Sequence, residues 1–182
     1  MTWTAPMTAV SGELLTAAEY NKHVRDNLME TAPARALEPG GIWQSSAANQ
    51  LKERYVASEL VTASDTFNGV RKTYFELKNA GPRVTVTTGT SALVWISCEM
   101  GAALAGAQCS ASFEVSGKTR QVATDEWRIT YDAHAANGST RTSIMRRIPL
   151  TAGSNTFRMK YRTGDLAGVH TWSNREIVVI PL

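Results

Sequence analysis

The sequence predicts a mainly β protein: an antiparallel jelly-roll-like β-sandwich preceded by an extended arm and one short amphipathic helix. Short segments of alternating polarity recur from residue 54 onward with turn residues between them, whereas helical periodicity occurs once, near the N-terminus. No strand–helix–strand alternation is present, which argues against a parallel nucleotide-binding sheet. Hydrophobic residues make up 43% and charged residues 19% of the 182-residue chain, as in a globular domain.

Residues 1–41 are expected to form an N-terminal arm, a helix and a linker. Thr16 and Glu19 have the spacing of a capping box at the start of a helix. Apolar residues then recur at every fourth position: Tyr20, Val24 and Leu28. This pattern predicts an amphipathic helix over about 17–30. Such a helix is too short to be stable alone in water, so it must dock either on its own sheet or on another chain.

The arm and the linker carry further apolar residues for which an intramolecular core is less available. They are Trp3, Pro6, Met7 and Val10 in the arm and Trp43 after it. Aromatic side chains of this kind are enriched at interfaces. Together with the three apolar helix residues, they are our candidates for contacts that anchor the chain to a partner.

Residues 42–182 are expected to form the sandwich. Pro33 and Pro39, followed by Gly40 and Gly41, predict irregular structure over 34–50. The predicted strands are 55–62, 70–77, 83–88, 92–99, 108–115, 127–131, 140–148, 156–162 and 175–180. In one of these strands Phe157, Met159 and Tyr161 alternate with charged or polar residues and share a face.

Catalytic and cofactor motifs are absent from the sequence. Asp132, His134 and Ser139 have the residue types of a catalytic triad, but they lie close together in one loop, whereas working triads assemble from separate segments. The glycines match neither a phosphate-binding loop nor a dinucleotide fingerprint, and no nucleophile elbow occurs. We therefore expect no enzymatic activity, no catalytic residue, no metal site and no cofactor.

The distribution of charge argues against nucleic acid and membrane as partners. The net charge is only +3, and the basic residues are scattered. The one adjacent pair, Arg146 and Arg147, lies in a predicted strand, so one side chain is expected to point outward and the other inward or toward a neighbouring subunit. A solvated face with an ion pair is the ordinary explanation. No apolar run approaches the ~20 residues of a membrane span, and the N-terminus lacks the pattern of a secretory signal. We expect a soluble protein that folds in the cytoplasm.

Two cysteines, Cys98 and Cys109, occupy neighbouring predicted strands joined by a connector rich in glycine and alanine. If the two strands form a hairpin, the cysteines lie nearly opposite each other. Two small buried thiols are the expectation for a cytoplasmic protein, and a disulfide formed after release from the cell is the alternative.

The last long loop provides one candidate surface for a ligand. His170 and Trp172 lie in the segment that begins at Gly164, and an aromatic side chain on an exposed loop suits contact with a sugar or a host surface. The sequence offers no second supporting residue.

Both ends of the chain resemble virion proteins of tailed phages that infect actinobacteria. The likeness rests on Thr2-Trp-Thr-Ala-Pro, on Val10-Ser-Gly-Glu-Leu-Leu-Thr-Ala-Ala-Glu-Tyr-Asn-Lys-His-Val-Arg-Asp-Asn-Leu28 and on Val84-Thr-Val-Thr-Thr-Gly-Thr-Ser-Ala-Leu93. The ending, Asn174-Arg-Glu-Ile-Val-Val-Ile-Pro-Leu182, is similar in style to trimeric jelly-roll domains of phage appendages. These motifs cover about half of the chain.

The resemblance implies a structural protein of the virion, assembled in the host cytoplasm. Its N-terminal segment would dock to other phage structural proteins, and its sandwich would be displayed as a homotrimer. Two placements follow: a capsid decoration or head-fibre protein, or a minor tail or tail-tip protein that contacts a host glycan or receptor. The small size of the chain favours decoration.

Overall fold

In the computed structural model, residues 4–5, 7–8, 10–29, 36, 38–48 and 50–182 are described. The chain divides into two compact units, Met1–Tyr55 and Val56–Leu182. The first holds a short helical segment and a β-hairpin, and the second holds a β-sandwich.

The helical segment of the first unit consists of α1 (Ala17–Tyr20), a π-helical turn (Asn21–Arg25) and α2 (Asp26–Leu28). The predicted helix is confirmed, and so is its capping box. The Thr16 hydroxyl accepts a hydrogen bond from the Glu19 amide at 3.2 Å, and the Glu19 carboxylate accepts one from the Thr16 amide at 2.9 Å. These bonds satisfy amides that a helix start leaves unpaired. The Thr16 hydroxyl also donates to the Glu19 carboxylate at 2.6 Å, and this bond, followed by the one from the Thr16 amide, lowers the pKa of Glu19.

A two-stranded antiparallel hairpin, β1 (Ile42–Ala47) and β2 (Gln50–Arg54), completes the first unit. The prediction of irregular structure over 34–50 was therefore wrong from residue 42 onward. Polar residues fill most of this hairpin, so it lacks the apolar alternation on which strand prediction depends. Trp43 lies on β1, half-buried and opposite Glu53.

The second unit contains nine strands and a 3₁₀ turn, Asp125–Trp127. The strands are β3 (Ala57–Val61), β4 (Asp65–Asn68), β5 (Arg83–Thr88), β6 (Ser91–Ala102), β7 (Gln108–Gly117), β8 (Ile129–Asp132), β9 (Gly138–Pro149), β10 (Gly153–Thr163) and β11 (Val169–Pro181). The prediction missed β4. It also placed a strand over 70–77, where only Phe75 forms a bridge, to Tyr161.

These strands form two antiparallel sheets. One has the order β5-β10-β7-β8, and the other the order β3-β11-β6-β9, with β4 pairing along the first half of β11. From β5 onward each strand changes sheet relative to its predecessor, except that β7 and β8 are neighbours in one sheet. This order is that of an eight-stranded jelly roll in which β3 and β4 share one strand position, so the predicted fold class is confirmed.

The core lies between the inner faces of the two sheets. Phe157, Met159 and Tyr161 of β10 are fully buried, which confirms that they share a face. The facing sheet contributes alternate residues of β6 and β11, such as Ile96 and Ile177. Alternation therefore assigns one side of every central strand to the core and leaves the other side as an outer surface.

Candidate interaction surfaces

Within the part of the chain that the structure describes, no three His, Cys, Asp or Glu side chains cluster as metal ligands would. The same residues include no helix that is long and apolar enough to cross a membrane. Asp132 accepts a hydrogen bond from Gln108 at 2.7 Å, and His134 and Ser139 are exposed on the following turn and strand. The hydrogen bond of Asp132 thus goes to Gln108, and none is recorded between Asp132, His134 and Ser139.

Asn27 fastens the N-terminal arm to the helical segment. Its side-chain oxygen accepts a hydrogen bond from the Thr4 amide at 3.0 Å, and its side-chain nitrogen donates to the Thr4 carbonyl at 2.9 Å. One turn earlier, His23 Nδ1 lies 3.0 Å from the Ala5 carbonyl oxygen. Asn27 is the one buried residue of the described helical segment. The sequence analysis missed it, because an asparagine amid polar helix residues is usually a solvated one.

The apolar residues of this segment lie exposed. Tyr20, Val24 and Leu28 are 51%, 36% and 62% exposed. Met7 and Val10 of the arm are also exposed, and so are Leu14 and Leu15, which the prediction did not include. Leu14 is 92% exposed. No apolar side chain of α1, the π-turn or α2 is buried. Trp3 and Pro6 lie outside the described residues.

His170 and Trp172 do not form a surface loop. Both lie on β11 with no exposed surface, and their side chains point into the core, where the Trp172 ring contacts Tyr161 at 5.6 Å and Phe75 at 6.3 Å between centroids. Burial lowers the pKa of His170. The prediction of a surface loop was wrong because a β-bulge between Ser173 and Glu176 interrupts the alternation of β11.

The bulge also places a charged residue in the core. Asn174 adopts a positive φ of 47°, and the extra residue turns Arg175 inward, where it has no exposed surface. Arg175 donates hydrogen bonds to the carbonyls of Asn79 at 2.9 Å and Ala63 at 3.1 Å. Two loops are thereby tied to β11 by a buried guanidinium, a role that the sequence pattern did not indicate.

The cysteines are free and buried in the sandwich. They do not lie on one hairpin, because β6 and β7 belong to different sheets. The Cys98 thiol donates to the Glu99 carbonyl at 3.3 Å, and the Cys109 thiol donates to the Gly101 carbonyl at 3.2 Å. Burial raises the pKa of each thiol to about 12, so both are unreactive at neutral pH.

The outer face of the β5-β10-β7-β8 sheet is covered by ion pairs within the chain. Arg158 and Lys160 both contact Glu76, and Lys160 also pairs with Glu114 at 3.1 Å. The hydrogen bond from Lys160 is the main reason that the pKa of Glu76 is lowered.

The ion-pair network continues along β10. Arg162 and Arg128 pair with Asp125 at 2.7 and 3.2 Å, and the Tyr74 hydroxyl donates to the same carboxylate at 2.9 Å. The outward charges of β10 are thus paired within the chain itself.

The outer face of the β3-β11-β6-β9 sheet is different in character. Trp95 of β6 lies between Met145 of β9 and Val178 of β11, and in the adjacent row Leu93 lies between Arg147 and Ile180. We call Leu93, Trp95, Met145, Val178 and Ile180 the apolar sheet face. Met145 is 53% exposed and the other four are half-buried.

The basic pair on β9 borders this face. Arg147 lies on the outer side and bonds to the Ser91 hydroxyl at 3.3 Å, whereas Arg146 is paired with the core-facing Val94. Both arginines are exposed, and neither forms an ion pair with a described residue, so the expected ion pair is not found. Polar residues follow along the same face, where Arg141 contacts Glu176 at 3.3 Å.

Comparison with known proteins gives no match to a protein family and none to a curated protein. Among solved structures, VP2 of an infectious bursal disease virus subviral particle aligns at 15% identity with a TM-score of 0.49, over 78% of this chain and 38% of VP2. Eiger TNF from S. frugiperda aligns at 11% identity with a TM-score of 0.41, over 68% of this chain and 92% of that one.

A third likeness is to TmCBM61, solved in complex with β-1,4-galactotriose, at 10% identity and a TM-score of 0.33, over 68% of this chain and 69% of that one. The chain spans less than two fifths of the length of VP2. Strand order, and not these likenesses, defines the fold.

Proposed function

We propose that this chain is a non-enzymatic structural protein of a phage virion, most simply a capsid decoration or head-fibre protein. Its N-terminal unit docks on other structural proteins of the particle, and its jelly roll is displayed as a homo-oligomer, which we take to be a trimer. The observation that carries the proposal is the exposed apolar surface of the arm and helix. The resemblance of both chain ends to phage virion proteins supports it.

The N-terminal unit has the properties of a preformed docking element. Capping and the Asn27 bridge to Thr4 order its backbone, yet its apolar side chains remain outside. Complete burial of a leucine or valine side chain contributes about 1.5–3 kcal/mol, so a partner that covers several of them gains a large part of a stable interface. Ordering the segment in advance reduces the entropy cost of binding.

The tail-tip alternative loses its residue-level support. It depended on an exposed aromatic loop at His170 and Trp172, and both side chains are in the core. Decoration of the shell needs no host ligand. It requires only a surface for the particle and a displayed domain.

Detection of the chain in purified virions tests the proposal directly. Antibodies against the purified protein should label virions of the encoding phage, and immunogold electron microscopy should place the label on heads. Label confined to tails would support the tail alternative, and virions without the protein would refute both placements.

A binding assay tests the anchoring surface. The triple variant Leu14→Ser, Leu15→Ser, Val24→Ser should bind particles assembled without the chain at least about 100-fold more weakly than wild type, since about 1.4 kcal/mol corresponds to a factor of ten. The matched control is Val122→Ser, which changes a 75%-exposed apolar residue of the other unit. Equal co-sedimentation of the triple variant and wild type would overturn the anchoring role.

A further inference from the structure

The two outer faces of the jelly roll differ in the side chains that they present. On the β5-β10-β7-β8 sheet the outward arginines and lysine of β10 are paired with carboxylates of neighbouring strands and loops. On the β3-β11-β6-β9 sheet the corresponding positions of three adjacent strands hold the apolar sheet face. A contiguous apolar patch on an otherwise polar protein marks a site of association.

The size of this outer face suits a protein partner. The β6–β9 ladder runs in register from Ser91 to Ala102, which is a length of roughly 40 Å at about 3.3 Å per residue. Four strands at about 4.8 Å spacing give a width of roughly 19 Å, and hence an area of roughly 750 Å². A stable protein–protein interface buries about 800 Å² on each partner.

The charges on the same face suit a second copy of it. Arg141 and Arg147 lie on β9 at one edge, and Glu99 and Glu176 lie on β6 and β11 nearer the centre. The face is therefore electrically balanced and polarised across its width. Around a threefold axis, the basic edge of one copy meets the acidic strands of the next copy. Arg147 has no carboxylate partner among the described residues, so such a contact supplies one.

We propose that copies of this chain associate through the apolar sheet face, with Trp95 near its centre and Met145 at its β9 edge. The inference rests on the homo-oligomer of the proposed function and adds the location of the interface between its copies. Trp95 is the anchor that such an interface needs, because a half-buried indole supplies a large rigid contact area at small entropic cost.

Light scattering of the full-length protein after size exclusion tests the inference. Wild type should have a mass of at least twice the 19.8 kDa of one chain, and three times that mass if it is a trimer. Met145→Glu should weaken self-association at least 100-fold and yield monomer, with an unchanged far-UV circular dichroism spectrum, because residue 145 is exposed in the isolated chain. Trp95→Ser should act in the same direction. The matched control, Val122→Glu, introduces the same charge at another exposed site and should keep the wild-type mass.

The outcomes separate this inference from the proposed function. An oligomeric Met145→Glu variant would overturn the apolar sheet face as the interface and leave the homo-oligomer standing. A monomeric wild type at about 100 μM would overturn both. Loss of the oligomer in the Val122→Glu control as well as in Met145→Glu would overturn the specific location, because any added charge would then suffice.

Discussion

Replacement of Trp172 by alanine should strongly destabilise the jelly roll. A buried tryptophan removes about 150–250 Å² from water, which at about 25 cal/mol per Å² amounts to ~4–6 kcal/mol. Alanine retains a small part of this burial, and the Trp172 indole N–H is buried without a hydrogen-bond partner among the described residues, which reduces the loss. We therefore expect the free energy of unfolding to fall by about 3–4 kcal/mol, within the usual range for such truncations.

Urea denaturation followed by far-UV circular dichroism measures this loss. A domain of this size is expected to have a stability of about 10 kcal/mol, and a slope near 2 kcal/mol per molar urea makes the expected fall in midpoint about 1.5–2 M. Trp172→Phe keeps an aromatic ring beside Tyr161 and Phe75 and should cost about half as much. Val122→Ala, at a 75%-exposed site, should leave the midpoint within the error.

A midpoint for Trp172→Ala within about 0.25 M of wild type would refute the reasoning. It would mean that Trp172 lies on the surface, and it would restore the ligand-binding loop as a hypothesis. A lower midpoint with an unchanged slope is the signature of lost packing in the folded state.

Three further predictions follow from the packing and the charges. Gly81→Ala should lower the melting temperature because an added Cβ overlaps the Tyr161 hydroxyl. Tyr161→Phe in the same chain should recover part of this loss, and no recovery would contradict the contact. The lowered pKa of Glu76 contributes stability that is present above its unfolded value of 4.5 and is lost as the pH falls. Glu76→Gln should therefore flatten the fall in melting temperature below about pH 4.5. An equally steep fall in the variant would exclude Glu76 as a source of the acid sensitivity. Neither Cys98 nor Cys109 should react with Ellman's reagent in the folded protein at pH 8, and both should react in urea; rapid labelling without urea would contradict their burial.

The sequence predicted most of the strands because alternation is a direct consequence of strand geometry. In β10 Phe157, Met159 and Tyr161 had to share a face, and that face is the core. The same rule failed at β11, where one extra residue at Asn174 shifts the register, so that the core residues on either side of the bulge follow different parities. It failed also for the hairpin of β1 and β2, whose polar residues offer no contrast between faces.

The candidate sites were harder to predict than the strands. The exposed apolar positions of the helix follow from periodicity, but periodicity alone left open whether the stripe packed within the chain. The apolar sheet face was not foreseen, because a strand that is apolar on both sides has the same sequence pattern as one buried on both sides. Trp95 illustrates this: it stands in the continuous apolar run 92–96, which is typical of a core strand, and it lies on the outer side of β6.

The position of β11 determines how fast this protein can fold. β11 lies between β6 and the strands β3 and β4, and it pairs Ala57 with Val179 and Val61 with Arg175, more than one hundred residues apart. Pairings of such high contact order slow folding to milliseconds or seconds. Until β11 docks, β6 on one side and β3 and β4 on the other expose edges with unpaired backbone N–H and C=O groups. Such edges are the usual starting points of aggregation. Low expression temperature should therefore increase the yield of soluble protein, because it favours closure of the sheet over association of incomplete chains.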